Sequence, residues 1–380
     1  MNLGFTAEHE SLRSELRKLL ARAEHHLPPG AGAAEPADAA LWQALTDSGW
    51  LGTAVPEAHG GSGLDGAALC VLAEEAGRAL AAVPLVASAC AFVHALRAVA
   101  EVVPAALWQG LAAGSARGVL LADDGWIMTP EISVQANGEI RVAGRAQFVP
   151  DGPSATHALL LAGSGDAAAL VLATLAPANQ PEPAAQPLDL LHPCCDIDLA
   201  GAAVQLLARG RAAQALWSRA VDAQALFVAF EQLGGADAAL DAARRYSLQR
   251  YAFGRPVGSF QALKHLMADM LVAIDLARSN CLFGLAALAA GDDALGEAAA
   301  VARISATEAF RIAAAGSTQV HGALGVTWEA DCHLFYRRAQ ALAGSPGAQW
   351  RWKDRLVQLL QQRAALAPVL TAPEPTAING

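Results

Sequence analysis

The sequence predicts a mainly α-helical protein with a central β domain. Apolar residues recur with the period of a helix in the first and last parts of the chain, whereas they alternate with polar residues in between. The composition supports a large buried core, because 54% of the 380 residues are hydrophobic and only 16% are charged. A chain of this length favours two or three packed units.

Residues 1–117 are predicted to form an N-terminal helical domain. Leu12, Leu16 and Leu19 follow a helical period, and a second helix carries Leu69 and Leu72. The two patterns are separated by a break at residues 56–63, which are rich in glycine and begin with proline. Two amphipathic helices joined by such a break indicate a packed helical unit.

Residues 118–209 are predicted to form the middle β domain. Asn137-Gly138 lies between two short alternating segments and favours a tight hairpin turn, because both residues accept positive φ angles. Residues 159–161 and 170–172 are short apolar runs that are typical of buried strands.

Residues 210–380 are predicted to form a C-terminal helical bundle. Leu226, Phe230 and Leu233 fall on one helical face, and residues 263–274 carry the next apolar stripe. Short connections between long helices favour an antiparallel bundle.

The charge balance and the cysteines limit the function classes. With 26 basic and 36 acidic residues the net charge is −10, so nucleic acid is not an expected partner. No apolar run reaches the roughly 20 residues that a membrane helix needs, and the N-terminus does not resemble a secretory signal. The six cysteines form no CxxC pair, which favours a reduced, cytoplasmic protein.

Two segments of the bundle carry the most informative motifs. The first runs from Arg250 through Phe253-Gly254-Arg255-Pro256 to Gln261, and its cation, aromatic ring and glycine suit the pyrophosphate and adenine of a dinucleotide. The second runs from Gln319 through Gly322 to Glu329. Both segments resemble signatures of the acyl-CoA dehydrogenase flavoproteins, and residues 56–63 fit the N-terminal domain of that family.

This resemblance implies an acyl-CoA dehydrogenase fold, with an N-terminal helical domain, a β-barrel-like middle domain and a C-terminal four-helix bundle. It also implies FAD as cofactor and acyl-CoA as substrate. Arg250 would contact the FAD pyrophosphate and Phe253 would pack on the cofactor, while Gln261, Gln319 and Gly322 would lie at its adenosine end. In the family these residues serve the FAD of a neighbouring subunit, so the resemblance implies an oligomer. It also implies electron transfer flavoprotein as a partner.

The chain departs from the family at the catalytic base. Dehydrogenation needs a carboxylate beside the α-carbon of the thioester. The position of the usual glutamate is Pro346, and the alternative position, 26 residues before Arg250, is Gln224. Glu231 lies two helical turns after Gln224 and is the candidate base that remains. The simpler explanation of Glu231 is a charge on a helix or the buried partner of an arginine.

The middle domain departs from the family as well. Residues 121–126 replace the usual segment over the flavin, and the strand against the ring ends Phe148-Val149-Pro150, where Pro150 has no N–H to offer. The chain therefore resembles the base-lacking subunit of heterotetrameric acyl-CoA dehydrogenases that degrade sterol side chains.

Three hypotheses remain open. The chain is a base-lacking subunit that completes the FAD site of a second acyl-CoA dehydrogenase, a self-sufficient homo-oligomer that uses Glu231, or a non-catalytic binding protein on the same fold. No metal site is expected, because the only candidate group, residues 192–196, places its ligands too close together along a loop that contains a proline.

Overall fold

The computed structural model describes residues 4–21, 38–121, 131–134, 140–180, 187–291 and 293–366. It confirms a mainly α-helical fold with a mixed sheet in the middle of the chain. A π-helical stretch, Leu85–Phe92, runs directly into α4. The α-helices are α1 (Ala7–Leu20), α2 (Ala39–Asp47), α3 (Gly66–Arg78), α4 (Val93–Arg97), α5 (Ala105–Ala112), α6 (Gly210–Gln249), α7 (Gln261–Ala290), α8 (Leu295–His321), α9 (Cys332–Gly344) and α10 (Gln349–Leu366).

The strands of the middle region form one larger sheet and separate pairs. The sheet has the order β1-β5-β6-β8, in which β1 is parallel to β5 and the other neighbours are antiparallel. The strands are β1 (Gly118–Leu120), β2 (Glu131–Val134), β3 (Ile140–Ala143), β4 (Arg145–Pro150), β5 (His157–Ala162), β6 (Ala169–Thr174), β7 (Cys194–Asp198) and β8 (Ala203–Arg209). A two-stranded hairpin, β9 (Tyr251–Ala252) and β10 (Arg255–Pro256), follows α6.

The predicted strands are confirmed. β2 and β3 pair in antiparallel register, as the hairpin prediction requires, although the turn residues Asn137 and Gly138 lie outside the described residues. The two apolar runs predicted as strands are β5 and β6, which are neighbours in the sheet. The pair β4–β7 contains a bulge between Ala146 and Val149.

The first helices begin where polar side chains cap them. Asp38 Oδ1 accepts a hydrogen bond of 2.9 Å from Leu41 N at the start of α2, and Asp65 Oδ1 accepts one of 3.0 Å from Ala68 N at the start of α3. Such caps satisfy backbone N–H groups that have no partner within the helix. They fix the point at which α3 enters the core.

α3 and α6 cross at two glycines. A Cβ atom on Gly77 would collide with the carbonyl oxygen of Glu231, and one on Gly234 would collide with the carbonyl oxygen of Glu74. Gly235 is constrained as well, because a Cβ there would lie 2.5 Å from the ring of Phe310. The glycine pair in α6 therefore serves close helix packing.

The bundle is built around α6 and α8. Leu226, Phe230 and Leu233 are all buried, as their spacing predicts. α7 packs against α8 and α6, although by length and composition this helix is apolar enough to span a membrane. Much of α7 is exposed in the single chain, including Leu271, Val272 and Leu276.

Candidate functional site

The hairpin that follows α6 holds Phe253 in a strained, exposed position. Ala252 pairs with Arg255, so Phe253 and Gly254 form a two-residue turn, with φ values of 52° and 77°. Two successive positive φ angles are typical of a tight hairpin turn, but they are unfavourable for a residue with a side chain. Phe253 is nevertheless 95% exposed. Strain at an exposed aromatic residue indicates a functional constraint.

The two predicted cofactor segments meet at one end of the bundle. Tyr246, near the end of α6, stacks on His321, the last residue of α8, with ring centroids 4.3 Å apart. This contact places the segment that contains Arg250 beside the segment that contains Gln319. Arg250, Phe253, Gln261, Gln319 and Gly322 are all exposed to solvent.

This end of the bundle offers groups that suit an anion. Arg250 has no carboxylate within ion-pair distance among the described residues, so its guanidinium is free to bind a ligand. Gly322 has φ 61°, and no atom lies within 4 Å of the place where a Cβ would stand. The backbone at Gly322 is therefore open to close approach.

A second feature is a cavity of about 560 Å³, which is bounded by the N-terminal helices, β1, β4, α6 and α9. Most of its wall is apolar, with Val83, Val86, Leu121, Val149 and Leu342 among the lining residues. Ligand pockets generally fall between about 300 and 1,000 Å³. The volume and the apolar wall are therefore those of a small-molecule site.

One part of the cavity wall carries an ion cluster around Arg338. Arg338 Nη1 donates to Glu231 Oε1 at 2.7 Å, and its Nε forms an ion pair with Asp189 Oδ2. The Arg338 side chain is only 2% exposed, yet its Nη2 has no hydrogen-bond partner among the described residues. Glu231 therefore occurs as the buried partner of an arginine.

His192 and Asp151 share an additional proton in the same wall. His192 Nδ1 lies 2.7 Å from Asp151 Oδ1, and its Nε2 lies 2.8 Å from the carbonyl oxygen of Ala81. A neutral imidazole has one N–H and cannot donate to both acceptors. Burial and the Arg338 charge lower the pKa of His192, but the carboxylates of Asp151 and Asp189 outweigh them and raise it.

The cavity is lined by both residues that occupy the family's positions for a catalytic base. Gln224 and Pro346 belong to its wall, although they are far apart in the sequence. The carboxylates that line it within the described residues are Asp151, Asp189 and Glu231, and each is ion-paired. Gln224 Oε1 is buried without a hydrogen-bond partner in the described part of the chain.

β4, the strand at the cavity, has few free backbone N–H groups for a flavin ring. Phe148 has φ 52° at the β4 bulge and is 67% exposed, while its N–H is donated to Asp196 Oδ1 at 3.0 Å. Pro150 has no N–H. Residues 122–126, which the sequence analysis placed above the flavin, lie outside the described residues.

Sequence reasoning missed the groups that give the cavity its charge. Arg338 lies one turn after the buried Leu334 on the inner face of α9. A cation within this apolar stripe was the pattern that could have indicated a buried charge. Asp189 and Asp151 lie in loops and had no such signal.

The group at residues 192–196 makes other contacts, because His192 lies against Asp151 and Asp196 forms an ion pair with Arg145. Among the described residues, no cluster has the side chains to hold a metal.

Comparison with known proteins identifies the family. A model described as "Acyl-CoA dehydrogenase, N-terminal domain" matches residues 6–106, and one described as "Acyl-CoA dehydrogenase, C-terminal domain" matches residues 205–349. The acyl-CoA dehydrogenase IpdE2 of Mycobacterium tuberculosis is 32% identical over 342 residues, which cover 88% of this chain and 92% of IpdE2. The chain belongs to the acyl-CoA dehydrogenase family.

Solved structures show the acyl-CoA dehydrogenase fold. A chain of the Tcur3481-Tcur3483 steroid ACAD variant has a TM-score of 0.83 and 28% identity, and the match covers 94% of this chain and 99% of that one. A chain of the ChsE4-ChsE5 complex from Mycobacterium tuberculosis has a TM-score of 0.83 and 23% identity, with 95% and 99% covered. The family resemblance of the Arg250 and Gln319 segments is confirmed, since both fall within the matched C-terminal domain.

Acyl-CoA dehydrogenases are FAD flavoproteins, and this chain fits the two ends of FAD unequally. The free guanidinium of Arg250 and the open backbone at Gly322 suit the pyrophosphate and adenosine. In the cavity, the Phe148 N–H is already used and Pro150 has none, so this strand does not fit a flavin ring that needs backbone donors.

Proposed function

We propose that this chain is a base-lacking subunit of a FAD-dependent acyl-CoA dehydrogenase, where it completes the FAD site of a second subunit. The observation that carries the proposal is the cavity at Gln224 and Pro346, in which each described carboxylate is already ion-paired. Removal of the α-proton needs a free carboxylate beside the substrate. A carboxylate that pairs with a buried arginine leaves that charge uncompensated when it takes a proton.

The contribution of this chain is the surface at the end of the bundle. FAD, when bound, accepts the β-hydride of the acyl chain. Arg250 supplies positive charge and a forked donor for the pyrophosphate. Gln261 and Gln319 offer polar contacts to the adenosine end, Gly322 allows close backbone approach, and Phe253 covers the cofactor with an apolar ring.

A partner subunit is supported by the apolar surface that the single chain exposes. Phe253 is 95% exposed, and Leu271, Val272 and Leu276 on α7 are 49%, 59% and 62% exposed. Apolar surface of this kind marks an interaction site when it is contiguous. Two structural neighbours are named as pairs of proteins, Tcur3481-Tcur3483 and ChsE4-ChsE5. We infer a second acyl-CoA dehydrogenase subunit as partner and electron transfer flavoprotein as electron acceptor.

The test is purification of the chain alone and together with a co-produced second subunit. We expect the chain alone to be colourless and the complex to be yellow, with one FAD for each pair of unlike chains. The complex should oxidise members of an acyl-CoA panel that includes straight-chain and steroid-bearing thioesters, since one neighbour is named a steroid ACAD. One FAD per subunit in the chain alone, with turnover of acyl-CoA, would refute the proposal.

Arg250 provides a matched pair of variants. Arg250→Ala should lower the flavin content of the complex, because a charge-assisted hydrogen bond to phosphate is lost, and Arg250→Lys should restore part of it. Arg211→Ala is the control, since Arg211 is also exposed and lies at the opposite end of α6, roughly 58 Å away along the helix. Equal flavin content in all three variants would remove Arg250 from the site.

The second candidate function is a self-sufficient homo-oligomer in which Glu231 is the base, because Glu231 does line the cavity. Glu231→Gln keeps a hydrogen-bond acceptor for Arg338 and removes the base. The proposal of a base-lacking subunit predicts that the complex retains its turnover in this variant. Abolished turnover with unchanged flavin content would favour the homo-oligomer.

A further inference from the structure

The hairpin that carries Phe253 is too short to be stable by itself. β9 and β10 have two residues each, and they are joined by a two-residue turn with positive φ angles. A two-stranded hairpin is marginally stable at best in water, and the left-handed conformation of Phe253 adds strain. The Phe253 ring is 95% exposed and contributes little to holding the hairpin in place. Contacts outside the turn must therefore fix the hairpin on the bundle.

Arg255, on β10, makes such a contact with Phe260. The guanidinium carbon of Arg255 lies 4.2 Å from the centroid of the Phe260 ring. A cation within about 6 Å of an aromatic ring is attracted by the negative charge of the ring face, and arginine makes this contact more often than lysine. Among the described residues Arg255 forms no ion pair with a carboxylate, so the ring is the partner of its charge.

Phe260 is fixed to the bundle. It directly precedes α7 and is half-buried, whereas Arg255 is exposed. The Phe260 N–H donates to the carbonyl oxygen of Val257 at 3.1 Å, and the Phe260 carbonyl oxygen accepts a hydrogen bond of 3.2 Å from Lys264 N. The contact with Arg255 therefore joins the short hairpin to the start of a long helix.

The position of Phe253 depends on the same ring. Phe253 approaches Phe260 edge-on, with ring centroids 6.2 Å apart and ring planes at 88°. Phe253 and Arg255 lie two residues apart on either side of Gly254. Any movement of the hairpin away from Phe260 therefore moves Phe253 as well.

The two arginines of the motif differ in their surroundings. The guanidinium of Arg250 makes neither an ion pair nor a ring contact among the described residues, whereas that of Arg255 already lies on a ring. A free guanidinium suits a phosphate, because its forked donors match the phosphate oxygens. The charge of Arg255 is instead used within the chain.

We propose that Arg255 is a positioning residue, which holds the hairpin against Phe260 and thereby fixes Phe253 at the place where the partner subunit meets it. Arg255 acts through Phe260 and does not itself bind the pyrophosphate. The inference rests on the proposed function, in which Phe253 covers the FAD of the partner. It gives the two arginines separate roles, since Arg250 binds the cofactor and Arg255 orders the hairpin beside it.

The first test is hydrogen exchange in the purified chain alone, measured by mass spectrometry on peptides that cover residues 250–260. Arg255→Met keeps a long apolar side chain and removes the charge, so the hairpin should exchange about threefold faster, the effect of one exposed cation–π contact. Phe260→Leu should have the same effect, and Arg255→Lys should restore most of the protection.

A double variant and a control complete this test. Arg255→Met combined with Phe260→Leu should exchange no faster than either single variant, because both changes remove the same contact. Arg245→Met is the matched control, since Arg245 is exposed near the same end of α6 and has no ring contact among the described residues. It should leave the exchange of the hairpin unchanged.

The second test uses the complex with the co-produced subunit. The dissociation constant of the two subunits should rise about threefold in Arg255→Met and should return most of the way in Arg255→Lys. A direct phosphate ligand would behave differently. Arg255→Met would then lower the affinity for FAD by about tenfold or more, leave the hairpin exchange unchanged, and add to the effect of Phe260→Leu. That pattern would overturn the proposal.

Hydrogen exchange separates the failure of this inference from the failure of the proposed function. One FAD per subunit in the chain alone, with turnover of acyl-CoA, refutes the proposed function, and the exchange of the hairpin still decides whether Arg255 holds it. Unchanged exchange in Arg255→Met refutes the role of Arg255 even if the complex is yellow and active. Faster exchange with an unchanged dissociation constant also refutes it, because the position of Phe253 would then not matter to the partner.

Discussion

Phe253→Gly should change the isolated chain and the complex in opposite directions. Phe253 has φ 52° and is 95% exposed, so its ring contributes little burial in the single chain. A left-handed conformation costs a residue with a side chain about 1–2 kcal/mol, and glycine avoids that cost. The greater freedom of glycine in the unfolded chain offsets about 0.5–1 kcal/mol of the gain. The free energy of unfolding should therefore rise by up to about 1.5 kcal/mol.

The complex should weaken in the same variant. Burial of a phenylalanine side chain at an interface stabilises it by about 1.5–3 kcal/mol. A loss of about 2 kcal/mol corresponds to a roughly 30-fold increase in the dissociation constant. Urea denaturation measures the first effect, and analytical ultracentrifugation of the complex measures the second. Phe253→Tyr, which keeps the ring, is the control and should leave the dissociation constant unchanged.

Two results would refute this reasoning about Phe253. One is a loss of more than about 1 kcal/mol in the free energy of unfolding of the isolated glycine variant, since an exposed ring cannot supply that much. The other is a dissociation constant that stays the same, which would mean that no partner buries Phe253.

Further predictions concern the core. Burial and nearby arginines lower the pKa of His94 to about 4. The unfolded state then binds more protons at this site between about pH 6.5 and pH 4, so His94 should lower the free energy of unfolding by about 3 kcal/mol as the pH drops through that range. His94→Leu should remove this contribution from the slope measured in urea titrations. Gly234→Ala should cost about 3 kcal/mol or more in the same assay, because its Cβ collides with the Glu74 carbonyl oxygen, whereas Gly344→Ala, in open space, should be nearly neutral. Burial raises the pKa of Cys281, so iodoacetamide at pH 8 should alkylate this thiol only after unfolding, as peptide mass spectrometry would show.

Either of two observations would contradict these core predictions. An unchanged acid slope in His94→Leu would assign the pH dependence to other groups. Rapid alkylation of Cys281 in the folded chain would show that this part of the core opens readily.

The fold was predictable from the sequence where local periodicity and burial agree. The face of α6 that carries Leu226 and Phe230 is buried as its spacing predicts, and β5 and β6 coincide with short apolar runs. The close contact of the α6 glycine pair with α3 and Phe310 joins segments that are distant along the chain, so no local pattern specifies it.

The candidate site was predictable only in part. The Arg250 and Gln319 segments are contiguous motifs, so their residues could be found from sequence alone. The cluster of Arg338, Asp189 and Glu231 joins helices and a loop that are distant along the chain, and no local pattern signals such an arrangement. A hydrogen bond to Asp196 also uses the Phe148 N–H, which no sequence pattern specifies.

The crossing of α3 and α6 has a consequence for how this family member can change its ligand. One wall of the cavity rests on main chain against main chain, because Gly77 faces the Glu231 carbonyl and Gly234 faces that of Glu74. The distance between α3 and α6 is therefore fixed, and on this side the pocket can be reshaped only through lining side chains such as Ala76 and Val228. Selection for a different ligand therefore has to change the side chains that line the cavity, on these two helices, at the β4 bulge or on α9, and not the spacing of α3 and α6.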